Sequence, residues 1–247
     1  MLSVCYTCKV VDMTNDYKTN TVYSALSGSL LYGTNSDQSD VDTRSVYIGT
    51  VYQSPSAPKA IWDEDTDSAW VELREFVHRL VIGSNTELET LFSDKVLVTS
   101  KYIEPILEIR DVFLSAAWLK KVLAYSKRVM LDMDKTKIWQ PDLCKNVAHV
   151  LRILDTVEHY RMTGAYTPAY HTFCSPWHLR LVKRLKRVEN LATYDFTYIY
   201  NHLDDTKAKL ERHVEAMPPV DMDKVNSALY ASLTTFWSEM YVRPNKS

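Results

Sequence analysis

The spacing of apolar residues changes at Glu72, and this change constrains the fold more than any other feature of the chain. Before it, short runs rich in β-branched and aromatic residues alternate with turn-rich segments, which is typical of strands. These runs span residues 4–11, 22–26, 41–48 and 68–71. From Glu72 onward apolar residues recur at helical spacing, beginning with Leu73, Phe76, Val77 and Leu80. The pattern predicts a sheet followed by helices, with residues 51–68 mainly a loop.

Beyond residue 100 the pattern remains helical. The predicted helices lie near residues 105–130, 142–163, 176–190, 195–216 and 221–240. We therefore expect an α+β fold, in which a small mixed sheet within residues 1–100 forms one domain and residues 101–247 form a helical domain that completes a cleft with it.

Composition excludes few functions, but it limits how a substrate is held. The chain has 247 residues, of which 46% are hydrophobic, so it can bury a sizeable core. Its formal net charge of −2 offers no overall attraction to nucleic acid or to a membrane surface, so an anionic substrate needs a local basic patch. The N-terminus does not resemble a signal peptide, and no apolar run approaches the ~18 residues of a membrane span. We expect a cytoplasmic protein that does not bind membranes.

The candidate chemistry lies where the strand predicted at residues 22–26 ends. Gly28 and Ser29 follow that strand, and Asp40 and Asp42 begin the next strand-like run. Side chains two apart on a strand share a face, so we expect the two carboxylates to converge. Such a pair repels itself unless a cation neutralises it, and Mg²⁺ prefers carboxylate oxygens.

A turn and a carboxylate pair in this order suit nucleotidyl transfer. Gly28 allows the backbone to approach a phosphate, Ser29 supplies a hydroxyl and an amide, and the carboxylates hold the metal. The competing interpretation is a polar turn beside an edge strand whose aspartates face water.

The segments 28–33 and 39–47 resemble the signature of nucleotidyltransferases of the DNA polymerase β superfamily, most closely the bacterial and phage group associated with RNA repair. The resemblance extends through the helix and turn at 72–92 and a later Lys/His/Arg helix, and covers roughly residues 20–165. It implies Mg²⁺ or Mn²⁺ as cofactor, an NTP such as ATP as donor and a third carboxylate on a neighbouring strand.

Several residues are candidates for the third carboxylate. Asp67, before the strand-like run at 68–71, is preferred over Glu72 at its end, because Glu72 also suits the start of a helix. Asp63 and Asp65 are further alternatives in an acidic loop. Arg44 lies two residues after Asp42, so it either pairs with that carboxylate or contacts the nucleotide.

A polar stripe marks the helix predicted at 142–163. Lys145, His149 and Arg152 lie opposite the apolar face of this helix. By itself such a stripe indicates a solvated surface, whereas the resemblance implies that it lines the cleft and binds a triphosphate. A second basic segment, residues 178–187, either grips RNA or is the cationic face of an amphipathic helix.

The cysteines argue against a structural zinc site. Cys5 and Cys8 form a Cys-x-x-Cys pair without two further ligands at recognisable spacing. His171, Cys174 and His178 also have suggestive spacing, but a fourth ligand is missing.

The sequence therefore predicts a metal-dependent nucleotidyltransferase that moves a nucleoside monophosphate from an NTP to an acceptor hydroxyl, with an RNA end as the preferred acceptor. The alternatives are a nucleotide- or RNA-binding module without catalysis and a phage factor acting on a host protein. The nucleotide, the acceptor and the oligomeric state are not specified by these motifs.

Overall fold

The computed structural model describes residues 16–37, 39–49, 59–63, 67–136, 139–187 and 193–242. The strand predicted at residues 4–11, the Cys5–Cys8 pair and Asp65 lie outside these ranges.

A five-stranded mixed sheet forms the N-terminal part. Its strands are β1 (Thr21–Leu26), β2 (Thr43–Tyr47), β3 (Ala60–Asp63), β4 (Ser68–Glu72) and β5 (Val96–Thr99). Their order across the sheet is β3-β4-β2-β1-β5. The β2–β4 pair is parallel, and the other three pairs are antiparallel. The mixed sheet confirms the α+β prediction.

Two strands were not predicted, and both are sheet edges. β3 lies within the predicted loop, and β5 precedes the helical region. Edge strands bury less surface than central ones, and all four residues of β5 are exposed. The alternation of apolar and polar residues is consequently weak in these strands. Their extended conformation depends on pairing, of β3 with β4 and of β5 with β1.

Ten helices lie within the described ranges. They are α1 (Asp16–Thr19), α2 (Gly28–Tyr32), α3 (Leu73–Val81), α4 (Asn85–Leu91), α5 (Glu104–Glu108), α6 (Ala116–Thr136), α7 (Pro141–Thr163), α8 (Pro176–Arg187), α9 (Thr193–His213) and α10 (Met222–Val242). The helix predicted at 105–130 is two helices, α5 and α6, separated by a 3₁₀ turn at Arg110–Phe113.

One hydrophobic cluster joins the sheet to the helices. Val46 and Val71 of the sheet belong to the same cluster as Trp118 of α6 and Leu151 of α7. Within the helical part, α7 packs against α6, α8 and α9. This packing places the polar side of α7 near the end of the sheet at which β2 and β4 begin, where Asp40, Asp42 and Asp67 lie. None of the helices in the described ranges has both the length and the apolarity needed to cross a membrane.

Candidate active site

The turn between β1 and α2 fits closely against Asp42. Gly28 has φ +61°, in the left-handed region that glycine adopts readily. A Cβ at this position would overlap the Asp42 carboxylate, so a larger residue does not fit. The Ser27 amide donates to the Asp42 carbonyl at 3.0 Å, which ties the turn to the start of β2.

Parallel pairing of β2 with β4 brings Asp42 beside Asp67. Thr43 pairs with Ser68, so each aspartate immediately precedes a paired strand residue. The Thr43 amide donates to the Asp67 carbonyl at 3.4 Å, and the Thr43 hydroxyl donates to Ser68 Oγ at 2.7 Å. Asp40 and Asp42 therefore precede β2 rather than lie within it, which corrects the predicted strand start at residue 41.

The three aspartates interact electrostatically. Burial raises the pKa of Asp42 to about 6, and a hydrogen bond from the protonated Asp42 carboxyl to Asp67, together with the charges of Asp67 and Asp40, acts in the same direction. The ammonium of Lys186 opposes this shift. The cluster carries more negative charge than its protein neighbours neutralise, which is the electrostatic signature of a cation site.

A cavity of about 500 Å³ opens over the carboxylates. The lining includes Gly28 and Ser29 from the turn, all three aspartates, and Lys145, His149, Arg152 and Lys186 from α7 and α8. Its volume is within the range of small-molecule sites. The predicted turn, carboxylates and helix residues thus meet in one place.

Arg152 lines the cavity but is almost fully buried. Its side chain is 2% exposed and donates to Glu89 Oε1 at 2.7 Å. The guanidinium lies 3.5 Å from the ring centroid of Tyr32, whose hydroxyl donates to Glu89 Oε2 at 2.6 Å. Arg152 therefore links α7 to α2 and α4, and Glu89 compensates its charge. The expectation that this stripe is a solvated face is wrong at Arg152.

His149 is held as a neutral imidazole. Burial lowers its pKa to about 4, and the adjacent Arg152 guanidinium contributes to the shift. Arg152 is always a donor, so His149 Nδ1, at 3.2 Å from it, accepts. The remaining ring nitrogen, Nε2, then carries the proton, so His149 offers a cavity ligand a hydrogen bond rather than a charge.

Glu72 lies at the other end of β4 from Asp67 and caps α3. Its carboxylate accepts from the Arg74 amide at 2.8 Å and the Glu75 amide at 3.4 Å, and it pairs with Arg74 Nε at 2.9 Å. It does not line the cavity. The alternative Asp63 pairs with Lys18 at 3.4 Å. Of the described candidates for the third carboxylate, the geometry favours Asp67.

A smaller cavity of about 240 Å³ adjoins the same carboxylates. Asp42 and Asp67 line both cavities. The smaller one adds Arg44 and the indole of Trp62, which is 54% exposed. Arg44 therefore lies near the acidic pair, as its spacing predicted, but it lines the smaller cavity rather than the larger one.

The residues that sequence reasoning missed come from separate helices. Glu89 and Tyr32 form the buried network with Arg152; both lie in the segments that carry the family resemblance, 72–92 and 28–33, but the sequence predicts no role for either. Lys186 belongs to the basic segment 178–187, for which the sequence predicts either RNA binding or the cationic face of an amphipathic helix, and not a place in this cavity. The sequence did contain one indication of the position of Lys186. It lies four residues after the buried Val182, so the two share a side of α8, and both line the cavity. In the same segment Arg184 pairs with Asp195 at 3.2 Å.

Comparison with known proteins agrees with this architecture. Searches of curated proteins and of solved structures return no match. A family model described as RlaP, the RNA repair pathway DNA polymerase beta family, matches residues 6–194. The match includes the Gly-Ser turn, the three aspartates, α7 and α8, and it covers most of the chain. The chain therefore belongs to the RNA repair pathway DNA polymerase beta family, a group of nucleotidyltransferases.

Proposed function

We propose that this protein transfers a nucleoside monophosphate from an NTP to a hydroxyl group, with an RNA end as acceptor. The observation that carries the proposal is the shared cavity, in which Asp40, Asp42 and Asp67 lie across from Lys145 and Lys186. Carboxylates that hold a metal and cations that bind phosphate are the two requirements of this chemistry.

The donor set fits a hard divalent cation. Asp40, Asp42 and Asp67 offer only oxygen, and their mutual repulsion, together with burial, raises the pKa of Asp42 to about 6. Mg²⁺ or Mn²⁺ held by these three side chains would neutralise charge that develops on the transferred phosphoryl group and on the leaving oxygen.

The remaining residues bind and orient the donor. The absence of a side chain at Gly28 leaves room for the Asp42 carboxylate, and Ser29, which also lines the cavity, offers its hydroxyl as a hydrogen-bond donor to a phosphate. Lys145 and Lys186 neutralise the triphosphate as point charges. Arg152 acts indirectly, because its contacts with Glu89 and Tyr32 hold α7 against α4 and α2.

The reaction balances without further components. The acceptor oxygen forms a bond to the α-phosphorus, the bond from that phosphorus to the bridging oxygen breaks, and pyrophosphate leaves. The proton of the acceptor hydroxyl passes to a carboxylate oxygen, for which the candidates are Asp42 and Asp67, because both line both cavities.

The smaller cavity suits the acceptor. A nucleotide at an RNA end presents a base and a phosphate, and the exposed Trp62 indole and the Arg44 guanidinium match these two groups. Asp42 and Asp67 lie between the two cavities, so an acceptor hydroxyl there would face the α-phosphate of a donor in the larger cavity.

The test is transfer of label from α-labelled NTPs to RNA oligonucleotides with a free 3′ hydroxyl, in Mg²⁺ or Mn²⁺. We expect wild-type protein to label the oligonucleotide and Asp42→Asn to lose transfer while remaining folded by circular dichroism. Transfer at the wild-type rate by Asp42→Asn would refute the proposal. Nucleotide binding by calorimetry without transfer to any acceptor would instead identify a binding module.

A further inference from the structure

A second group of metal-ligating side chains lies between α7, α8 and α9, outside the cavity over the aspartates. Asp155, His178 and His202 each come from a different one of these helices. Asp155 Oδ2 lies 2.9 Å from His178 Nδ1, and Asp155 Oδ1 lies 2.9 Å from His202 Nε2. One ligand atom from each residue lies within 4.8 Å of the others. We infer that these three side chains form a binding site for a Zn²⁺-class transition metal ion.

The type of donor distinguishes this group from the aspartate cluster. Two imidazole nitrogens and one carboxylate oxygen are the ligands of many zinc sites, whereas Mg²⁺ prefers oxygen alone. The imidazole rings of His178 and His202 are 4.6 Å apart between centroids and meet edge to face, so their nitrogens converge on Asp155. Three protein ligands leave a further position for water.

The charge of Asp155 also calls for a cation. Its side chain is only 12% exposed, and no lysine or arginine in the described ranges forms an ion pair with it. Its hydrogen-bonding partners are the two histidines and Tyr170, whose hydroxyl donates to Oδ2 at 2.7 Å. A divalent cation bound by these three side chains would balance the charge of the largely buried carboxylate.

The surroundings of the three ligands are built like a metal site. The Tyr170 hydroxyl donates a hydrogen bond to the Asp155 carboxylate, as residues that orient metal ligands commonly do. Trp177 and Tyr198 pack around the two imidazoles, with centroids 5.3 Å from His178 and 6.3 Å from His202. The side chains of His178 and His202 remain 18% and 25% exposed, which leaves a route for the ion.

The position of the site gives the ion a structural role. Asp155 lies on α7 beyond Lys145 and Arg152, and His178 lies on α8 before Val182 and Lys186. A metal ion bound by Asp155, His178 and His202 would join α7, α8 and α9, and would thereby hold together the two helices that line the cavity. It is separate from the cation proposed at the aspartates.

The test uses the full chain without a histidine tag, freed of metal by a chelator. Zn²⁺ is titrated by calorimetry in excess Mg²⁺, and Co²⁺ is followed by its visible ligand-field absorption. We expect one Zn²⁺ per chain, a Co²⁺ spectrum of low coordination number, and a thermal midpoint that rises by several degrees with Zn²⁺.

Variants identify the ligands. His178→Gln and His202→Gln should lose the Co²⁺ spectrum and the thermal shift, and Tyr170→Phe should weaken Zn²⁺ about tenfold. His202→Gln keeps the hydrogen bonds of Asp155 to His178 and Tyr170. Its metal binding can therefore be measured even if a third variant, Asp155→Asn, does not fold. His171→Gln and Cys174→Ser, the alternative set suggested by spacing alone, should bind as wild type.

Two outcomes would overturn the inference. One is a folded, metal-free chain that takes up no Zn²⁺ in excess Mg²⁺, which would leave the group as a hydrogen-bonded network. The other is undiminished binding by a folded His178→Gln/His202→Gln double variant. Asp42→Asn should leave Zn²⁺ binding intact, so the result is independent of the proposed transfer reaction.

Discussion

Arg152 and Glu89 form an ion pair at 2.7 Å in which the side chains are only 2% and 3% exposed. The pair joins α7 to α4, and Tyr32 joins it to α2, the helix that follows the Gly-Ser turn. Burial opposes both charges, yet each partner stabilises the other, so the pKa of Glu89 is lowered and that of Arg152 is raised. Arg152, which was expected to contact phosphate, thus holds together the elements that line the larger cavity.

Removing one charge of this pair should be costly. We expect Glu89→Gln to lower the free energy of unfolding by about 3–5 kcal/mol, because the Arg152 guanidinium would stay buried without its counter-charge. Urea denaturation measures the change. The control is Glu158→Gln, which breaks the partly exposed pair with Arg161 (2.7 Å) and should cost no more than about 1 kcal/mol. Equal losses in the two variants would contradict the buried-pair assignment.

Gly28 and Gly164 form a matched test of the turn. Both have positive φ, +61° and +72°, but a Cβ at Gly28 would overlap Asp42, whereas nothing lies within 4 Å of one at Gly164. Gly164→Ala should lose on the order of 1 kcal/mol of stability through backbone strain and keep nucleotidyl transfer. Gly28→Ala should lower the transfer rate on the order of 100-fold, since it displaces a metal-binding carboxylate. Similar rates in both variants would argue against the turn as a phosphate site.

Asp67 and Glu72 should separate activity from stability. Asp67→Asn should abolish transfer without destabilising the chain, because asparagine tolerates the positive φ of 47° and the change relieves repulsion with Asp42. Glu72→Ala removes the cap of α3 and should cost about 1 kcal/mol while transfer persists. Rates and unfolding curves for both variants test the assignment. If a stable Glu72→Ala variant lost transfer, Glu72 rather than Asp67 would be the third carboxylate.

Lys186 should act on nucleotide binding. Burial and the charge of Arg152 lower its pKa, and Asp42 acts in the opposite direction, which shows that its ammonium faces the site. Lys186→Met should raise the KM for NTP by about tenfold or more, as expected for loss of a charged hydrogen bond to phosphate. Lys183→Met, on the same helix but outside the cavity lining, is the control. An unchanged KM in Lys186→Met would remove this residue from the donor site.

His149 should make stability depend on pH. Its pKa falls from an ordinary 6.5 to about 4 in the folded chain, so the unfolded chain binds a proton that the folded chain does not. Its contribution to stability is complete above pH 6.5 and is lost as pH falls toward 4, by roughly 3 kcal/mol in total. Urea denaturation at several pH values should show that the free energy of unfolding falls less steeply with decreasing pH in His149→Gln than in the wild-type chain. An identical slope would contradict a buried neutral imidazole.

Periodicity identified the interior elements well and the edges poorly. The strands β1, β2 and β4 follow from their apolar residues, because consecutive residues of each are buried, and α3 follows from helical spacing, because it buries one regular face. The edge strands β3 and β5 are short and largely exposed, so no such face marks them. The polar pattern of α7 indicated wrongly that Arg152 is solvated. A charged residue on the polar side of a helix is buried when a counter-charge such as Glu89 lies against it.

The sequence by itself determined the kind of chemistry, through a Gly-Ser turn, an Asp-x-Asp pair and cations on a later helix, because these residue types carry their properties wherever they lie. Only the tertiary structure decided which residues act together. Parallel pairing of β2 and β4 places Asp67 rather than Glu72 beside Asp42, helix packing adds Lys186 to the cavity, and three helices bring Asp155, His178 and His202 together. These are contacts between residues far apart in the chain, and local spacing carries no information about which distant partners will meet.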